Sequence, residues 1–190
     1  MYFDTALTIT VTLVSGLFWG ALCGAFTNII YSTIWFWCPE AYLFAICNIA
    51  TAYITWQFIR FFPRELNLNG KTQETLVSKI MGRVIVLILL SFTLCFAMSI
   101  LGGLIAALIM AINPSQIGEH WLSVWLSATM FSENTPVFIK EILARIPINI
   151  IDRLASVFAG FGIALLIHRF LRKTEVWKKS ASPETSGIVS

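Results

Sequence analysis

Charge is what this chain has least of. Only 12% of its 190 residues are Asp, Glu, Lys or Arg, about half the roughly 25% of a soluble globular domain. That excludes an ordinary water-soluble fold. The formal net charge of +3 is small and unevenly spread, so it bears on topology and gives no reason to expect a nucleic-acid partner. Met1-Tyr2-Phe3-Asp4 lacks a basic n-region, so nothing reads as a signal peptide. Cys23, Cys38, Cys47 and Cys95 form no C-x-x-C and have no histidine beside them. A metal or redox centre is therefore not expected, and small buried hydrophobes are the simpler reading. There is no G-x-x-x-x-G-K-S/T loop for nucleotide, no H-E-x-x-H, and no paired nucleophile and base. The Glu119-His120 dyad stands alone. No cofactor and no catalytic activity are expected.

What the chain has is apolar length. Hydrophobic residues make up 57% of it and the mean hydropathy is +0.80. Four apolar blocks, about 5–37, 40–60, 79–112 and 146–171, compare with the roughly 20 residues that cross a bilayer. The first block is interrupted by Ser15-Gly16 and reads as a short helix, 5–14, and a second, 16–36. Gly102-Gly103 marks a kink or a close helix contact in the third block, which stops at Asn113-Pro114. The expectation is an all-α, polytopic transmembrane bundle of five helices over 1–172. A polar, disordered cytoplasmic tail over 173–190 follows it.

Basic residues orient the bundle. Arg60, Arg64, Lys71, Lys79 and Arg83 surround the second connection, and Arg169, Arg172, Lys173, Lys178 and Lys179 follow the last block. Both places are expected in the cytoplasm of a multi-pass protein of the cell membrane. Residues 113–145 then lie outside, with Trp121 and Trp125 at the interface and Glu133-Asn134-Thr135-Pro136 as a turn.

Within the last block, Asn149, Asp152, Arg153, Ser156 and Gly160 fall on one helical face. An ionisable group at membrane depth costs roughly 2.5–3.5 kcal/mol on insertion scales, which makes this stripe a candidate site. Asn28, Asn48 and Asp4-Thr5 are expected at the same level on three other helices. Small faces, Gly20-Gly24-Thr27-Asn28 among them, let those helices approach closely. The candidate ligand contacts are Asn28, Asn48, Asn149, Asp152 and Arg153, with Trp121 and Trp125 on an external lid. The competing reading for Asn28 and Asn48 is interhelical hydrogen bonding. For Asp152 beside Arg153 it is a structural ion pair.

Asp4-Thr5-x-x-Thr8, then Gly16-x-x-Trp19-Gly20-x-x-x-Gly24-x-x-Thr27-Asn28, then Phe44 with Asn48, and Pro147-x-x-x-x-Asp152-Arg153-x-x-Ser156 form a series. It resembles the substrate-binding (S) components of energy-coupling factor transporters across about residues 3–170. The resemblance implies a six-helix bundle, of which this chain carries five, that captures a vitamin or related small molecule from outside. It also implies a transmembrane coupling subunit and two cytoplasmic ATPases as partners. The alternative from another class is a sensory or scaffolding membrane module.

Overall fold

In a computed structural model the described residues are 3–36, 39–68, 76–112 and 136–181. They form a bundle of α-helices: α1 (Phe3–Ser15), α2 (Leu17–Tyr31), α3 (Ala45–Phe61), α4 (Leu76–Ile112) and α5 (Val137–Ala181). A π-helical turn, Ser32–Phe36, extends α2, and a 3-10 turn, Pro39–Phe44, leads into α3. The chain is therefore an all-α, multi-span membrane bundle. Among the described residues four stretches are long and apolar enough to cross a bilayer: Leu17–Ile34, Tyr42–Phe61, Val77–Ile109 and Arg145–Thr174. The fifth expected helix is present but short. Asp4–Ser15 is apolar and, with α1 at 13 residues, only about 20 Å long. A sixth helix is not found among the described residues.

The large side chains outside confirm the solvent this surface suits. Phe18, Trp19, Phe26, Ile30, Phe61, Ile112 and Phe170 are all exposed, whereas threonines and serines fill much of the interior. Such a surface in water would be an unusually large apolar patch; in lipid it is the expected exterior. Thr5, Thr8, Thr10, Thr12, Thr51, Thr55, Ser91 and Ser99 are buried. Most of these hydroxyls satisfy themselves within their own helix, as when Thr12 Oγ1 donates to the Thr8 carbonyl at 2.7 Å and Thr55 Oγ1 to that of Thr51 at 2.8 Å.

One residue joins α1 to α2. Gly16 adopts φ +89°, a region costly for any side chain with a Cβ. The two helices consequently fold back on each other directly. Gly20 lies against Thr12, where a Cβ would run into the threonine side chain and backbone, and Gly24 lies against Thr8 and Asn48. The G-x-x-x-G face is thus consumed inside the bundle. α1 occupies the centre, packing on α2, α3 and α5, while α4 packs on α3 and most extensively on α5. Ile9, Val86, Leu87, Leu90, Leu94, Val157 and Phe161 make the apolar core where α1, α4 and α5 meet.

Of the two readings of Gly102-Gly103 the close helix contact holds: α4 is one helix of 37 residues, and a Cβ on Gly103 would stand 3.1 Å from both N and Cα of Ile142. Two expectations change. The stretch after Pro136 and the last block are not separate. They form one helix of 45 residues that passes through Pro147. Pro147 has no N–H to donate to the Leu143 carbonyl, a loss tolerated within a membrane bundle where neighbouring helices pack against the site; beside it, Cys95 Sγ of α4 donates to the Ile146 carbonyl at 3.7 Å. Finally, α5 continues to Ala181, so 173–181 is helical where a disordered tail was expected.

Candidate functional site

A polar layer crosses the bundle. Asp4 opens α1, and its Oδ1 accepts the backbone N–H of Thr5 at 2.8 Å, which places a carboxylate at the helix's positive end. Its Oδ2 accepts Asn48 Nδ2 from α3, also at 2.8 Å. The same amide nitrogen donates to the Gly24 carbonyl of α2 at 3.1 Å. Three helices are pinned by one asparagine, and this is possible because Gly24 has no side chain in the way.

On the other side of α1, Arg153 Nη1 donates to Thr5 Oγ1. Its Nε stands 3.9 Å from Asp152 Oδ2, close enough for an ion pair and too far for a hydrogen bond. Asn149, one turn earlier on α5, donates from Nδ2 to Ser99 Oγ of α4 at 2.9 Å. Asn48, Asn149, Asp152 and Arg153 are 5%, 9%, 6% and 8% exposed. The five residues of the α5 stripe, Asn149, Asp152, Arg153, Ser156 and Gly160, are all buried. Gly160 lets α1 lie close, its Cβ position being 2.9 Å from the Ala6 carbonyl, and Thr10 Oγ1 bonds the Gly160 carbonyl at 3.1 Å.

The depth of the layer follows from helical rise. From Arg83 to Ser99 is about 24 Å along α4, and from Arg169 to Asp152 about 25 Å along α5, at 1.5 Å per residue. Against about 30 Å of hydrocarbon, the layer lies in the half of the bilayer farther from the basic end. α1 starts at that level. α2 with its π-helical turn, α4 and α5 all run on past it.

The expected ligand contacts divide accordingly. Asn48, Asn149, Asp152 and Arg153 are gathered into the layer, where Asn48 bonds Asp4, Asn149 bonds Ser99 and Arg153 bonds Thr5. Asn28 lies one turn beyond Gly24 on α2, and its Oδ1 is buried with no hydrogen-bond partner among the described residues. Trp121 and Trp125, with Glu119, His120 and Glu133, lie outside the described residues. The structure adds Arg145. Its guanidinium stacks 5.8 Å from the Phe44 ring and approaches Gly102, one turn past Asn149 towards the far face. The spacing Arg145, Asn149, Asp152-Arg153, Ser156 carries the same helical stripe one turn further, which was the signal for it.

Chemically, the layer offers carboxylates, amides and a guanidinium in a low-dielectric setting, where charge-assisted hydrogen bonds are strong. Among the described residues no three His, Cys, Asp or Glu side chains gather as a metal site needs. Comparison with protein-family models, curated proteins and solved structures matches this chain to none of them.

Proposed function

We propose that this chain is the substrate-binding membrane subunit of an importer of the energy-coupling factor type, taking a vitamin-like small molecule from the outer side. One observation carries the reading: an aspartate and an arginine, each under 10% exposed, are held inside a membrane bundle, away from its basic end. Structure alone needs no such pair, because a buried ion pair is often no more stabilising than apolar packing of the same volume. The buried Asn28 Oδ1, which has no hydrogen-bond partner among the described residues, leaves an acceptor that a ligand's donor can use. Further support comes from α1. Because it starts at the layer while three other helices continue past it, this reading takes the layer as a floor and the side away from the basic end as the outer one.

Asn28, Asn48, Asn149 and Asp152 hydrogen-bond the ligand's polar edge in this reading, and Arg153 with Arg145 holds an acidic group. Trp121 and Trp125 close over it from outside. The subunit performs no catalytic step; a coupling subunit and two ATPases drive release. The test is purification from the native membrane with mass spectrometry of bound small molecules and proteins. The expected result is a stoichiometric small molecule that Asp152→Asn loses while the protein still accumulates, together with the coupling subunit and ATPases. Wild-type protein that carries no such molecule refutes the proposal.

A second reading is favoured by α5. One unbroken helix runs from Arg145, past the polar layer, to Ala181, and a rigid rod of that kind suits a sensor that passes ligand occupancy to a partner. Recovery of a kinase or cyclase in place of the ATPases decides for it.

A further inference from the structure

At the basic end of the bundle, away from the polar layer, the turn after α3 meets the first turns of α4 and leaves a cleft of about 150 Å³. One water needs only roughly 10–15 Å³ of such space. Arg64, Glu65, Ser78, Lys79 and Gly82 line it. Two cations face one carboxylate, so the cleft is positive, and the Ser78 hydroxyl adds a neutral donor. Gly82 keeps it open: a Cβ there would already stand 3.6 Å from Glu65 Cγ, and anything longer would fill the space.

The cleft is built rather than incidental. Arg83 does not face it as a free charge. Its Nε donates to the Glu65 carbonyl at 3.0 Å and its Nη2 to the Asn67 carbonyl at 2.8 Å. Those bonds clamp the 62–68 turn against α4 and hold Glu65 and Arg64 in place. Arg60, one turn before Arg64, stacks over Trp56 at 4.8 Å and adds positive potential on the same side.

What surrounds the cleft chooses the ligand. Phe61, Val77 and Met81 are 74%, 71% and 62% exposed, and they flank the lining residues along α3 and α4. A free phosphate has no use for apolar neighbours, whereas a phospholipid needs them for its acyl chains. We propose that this cleft binds the phosphate of an anionic phospholipid headgroup from the adjacent leaflet. Arg64 and Lys79 hold the phosphate oxygens, Ser78 donates to one of them, and the acyl chains lie on Phe61, Val77 and Met81. Basic pockets between membrane helices recognise anionic headgroups by this combination of charge and depth.

The test reconstitutes the full chain into vesicles of equal parts phosphatidylglycerol and phosphatidylcholine. After mild detergent extraction, native mass spectrometry counts the lipids retained. Wild-type protein is expected to keep phosphatidylglycerol in preference. Arg64→Gln and Lys79→Gln each lower that preference about fivefold, at the usual contribution of one basic residue near an anionic surface. Arg64 is exposed and Lys79 only partly buried, and glutamine keeps much of each side chain's stem, so these changes leave the packing intact. Glu65→Gln removes the opposing charge and raises the preference. A preference unchanged in both cation variants places the lipid elsewhere and overturns the proposal. Equal retention of the two lipids also overturns it. Inorganic phosphate that binds delipidated protein and abolishes the preference identifies a free-anion site instead.

Discussion

Replacing Gly24 by alanine tests the layer at its tightest point. The added Cβ would stand 2.9 Å from Asn48 Cβ, 2.9 Å from Thr8 Oγ1 and 3.2 Å from the Asn48 carbonyl. Two of those three atoms lie on, or next to, the backbone of α3, so rotating a side chain cannot relieve the clash. α2 and α3 must separate by several tenths of an ångström. That movement stretches the Asn48 bond to the Gly24 carbonyl, now 3.1 Å, and shifts Asn48 against Asp4. Overpacking of this kind costs about 1–3 kcal/mol, and each weakened interhelical hydrogen bond adds about 0.6 kcal/mol, at most about 1.7. Opposing this, glycine to alanine in a helix gains up to about 1 kcal/mol of propensity. The net expectation is a loss of about 1–3 kcal/mol. Gly162→Ala is the control, because nothing lies within 4 Å of its Cβ position and only the propensity gain remains. Unfolding free energies of both variants in the same mixed micelles, measured by steric trapping, make the comparison. If Gly24→Ala is as stable as Gly162→Ala, the close approach of α2 to Asn48 does not exist and the layer is not held as described.

Other perturbations reach other parts of the bundle. A double-mutant cycle on Ser99→Ala and Asn149→Ala should return a coupling of about 0.6 kcal/mol, up to about 1.7, for their 2.9 Å bond; zero coupling removes that link between α4 and α5. Arg153→Met strands the Asp152 carboxylate beside a lost cation and should cost about 3–5 kcal/mol, read as lower yield and earlier thermal unfolding. Adding Asp152→Asn to it should recover part of the loss, and a double variant no better than the single one would falsify the pairing. Arg83→Gln loses two charge-assisted bonds to the 62–68 turn, so limited proteolysis should cut there faster than in wild type while the helices stay protected.

Some of this architecture was legible in the residues. The face Asn149, Asp152, Arg153, Ser156 and Gly160 stood out because polar side chains cannot face acyl chains, so a stripe at helical spacing has to point inward. All five are indeed buried. The small faces of α2 and α4 were readable for the same reason. The ends of elements were less so. The last apolar block was read from 146, yet α5 runs unbroken from Val137 through it, because α4 packs along that stretch and supplies contacts a lone helix lacks. The helical 173–181 segment was likewise hidden by its polarity, which in a continuing helix is no bar to structure.

Composition and periodicity alone determined that this protein lives in a bilayer, roughly how many times it can cross, and which faces turn away from lipid. These depend only on what each side chain costs in hydrocarbon, a property it has whatever its neighbours. Which polar groups meet was decided by the tertiary structure. Asp4 pairs with Asn48, Thr5 with Arg153, and Ser99 with Asn149, only because α1 sits at the centre and the glycines at 24 and 160 let α3 and α5 come close to it. Hydrogen bonds between helices are set by rotation and height to within an ångström, and no spacing along one chain segment records where another will stand.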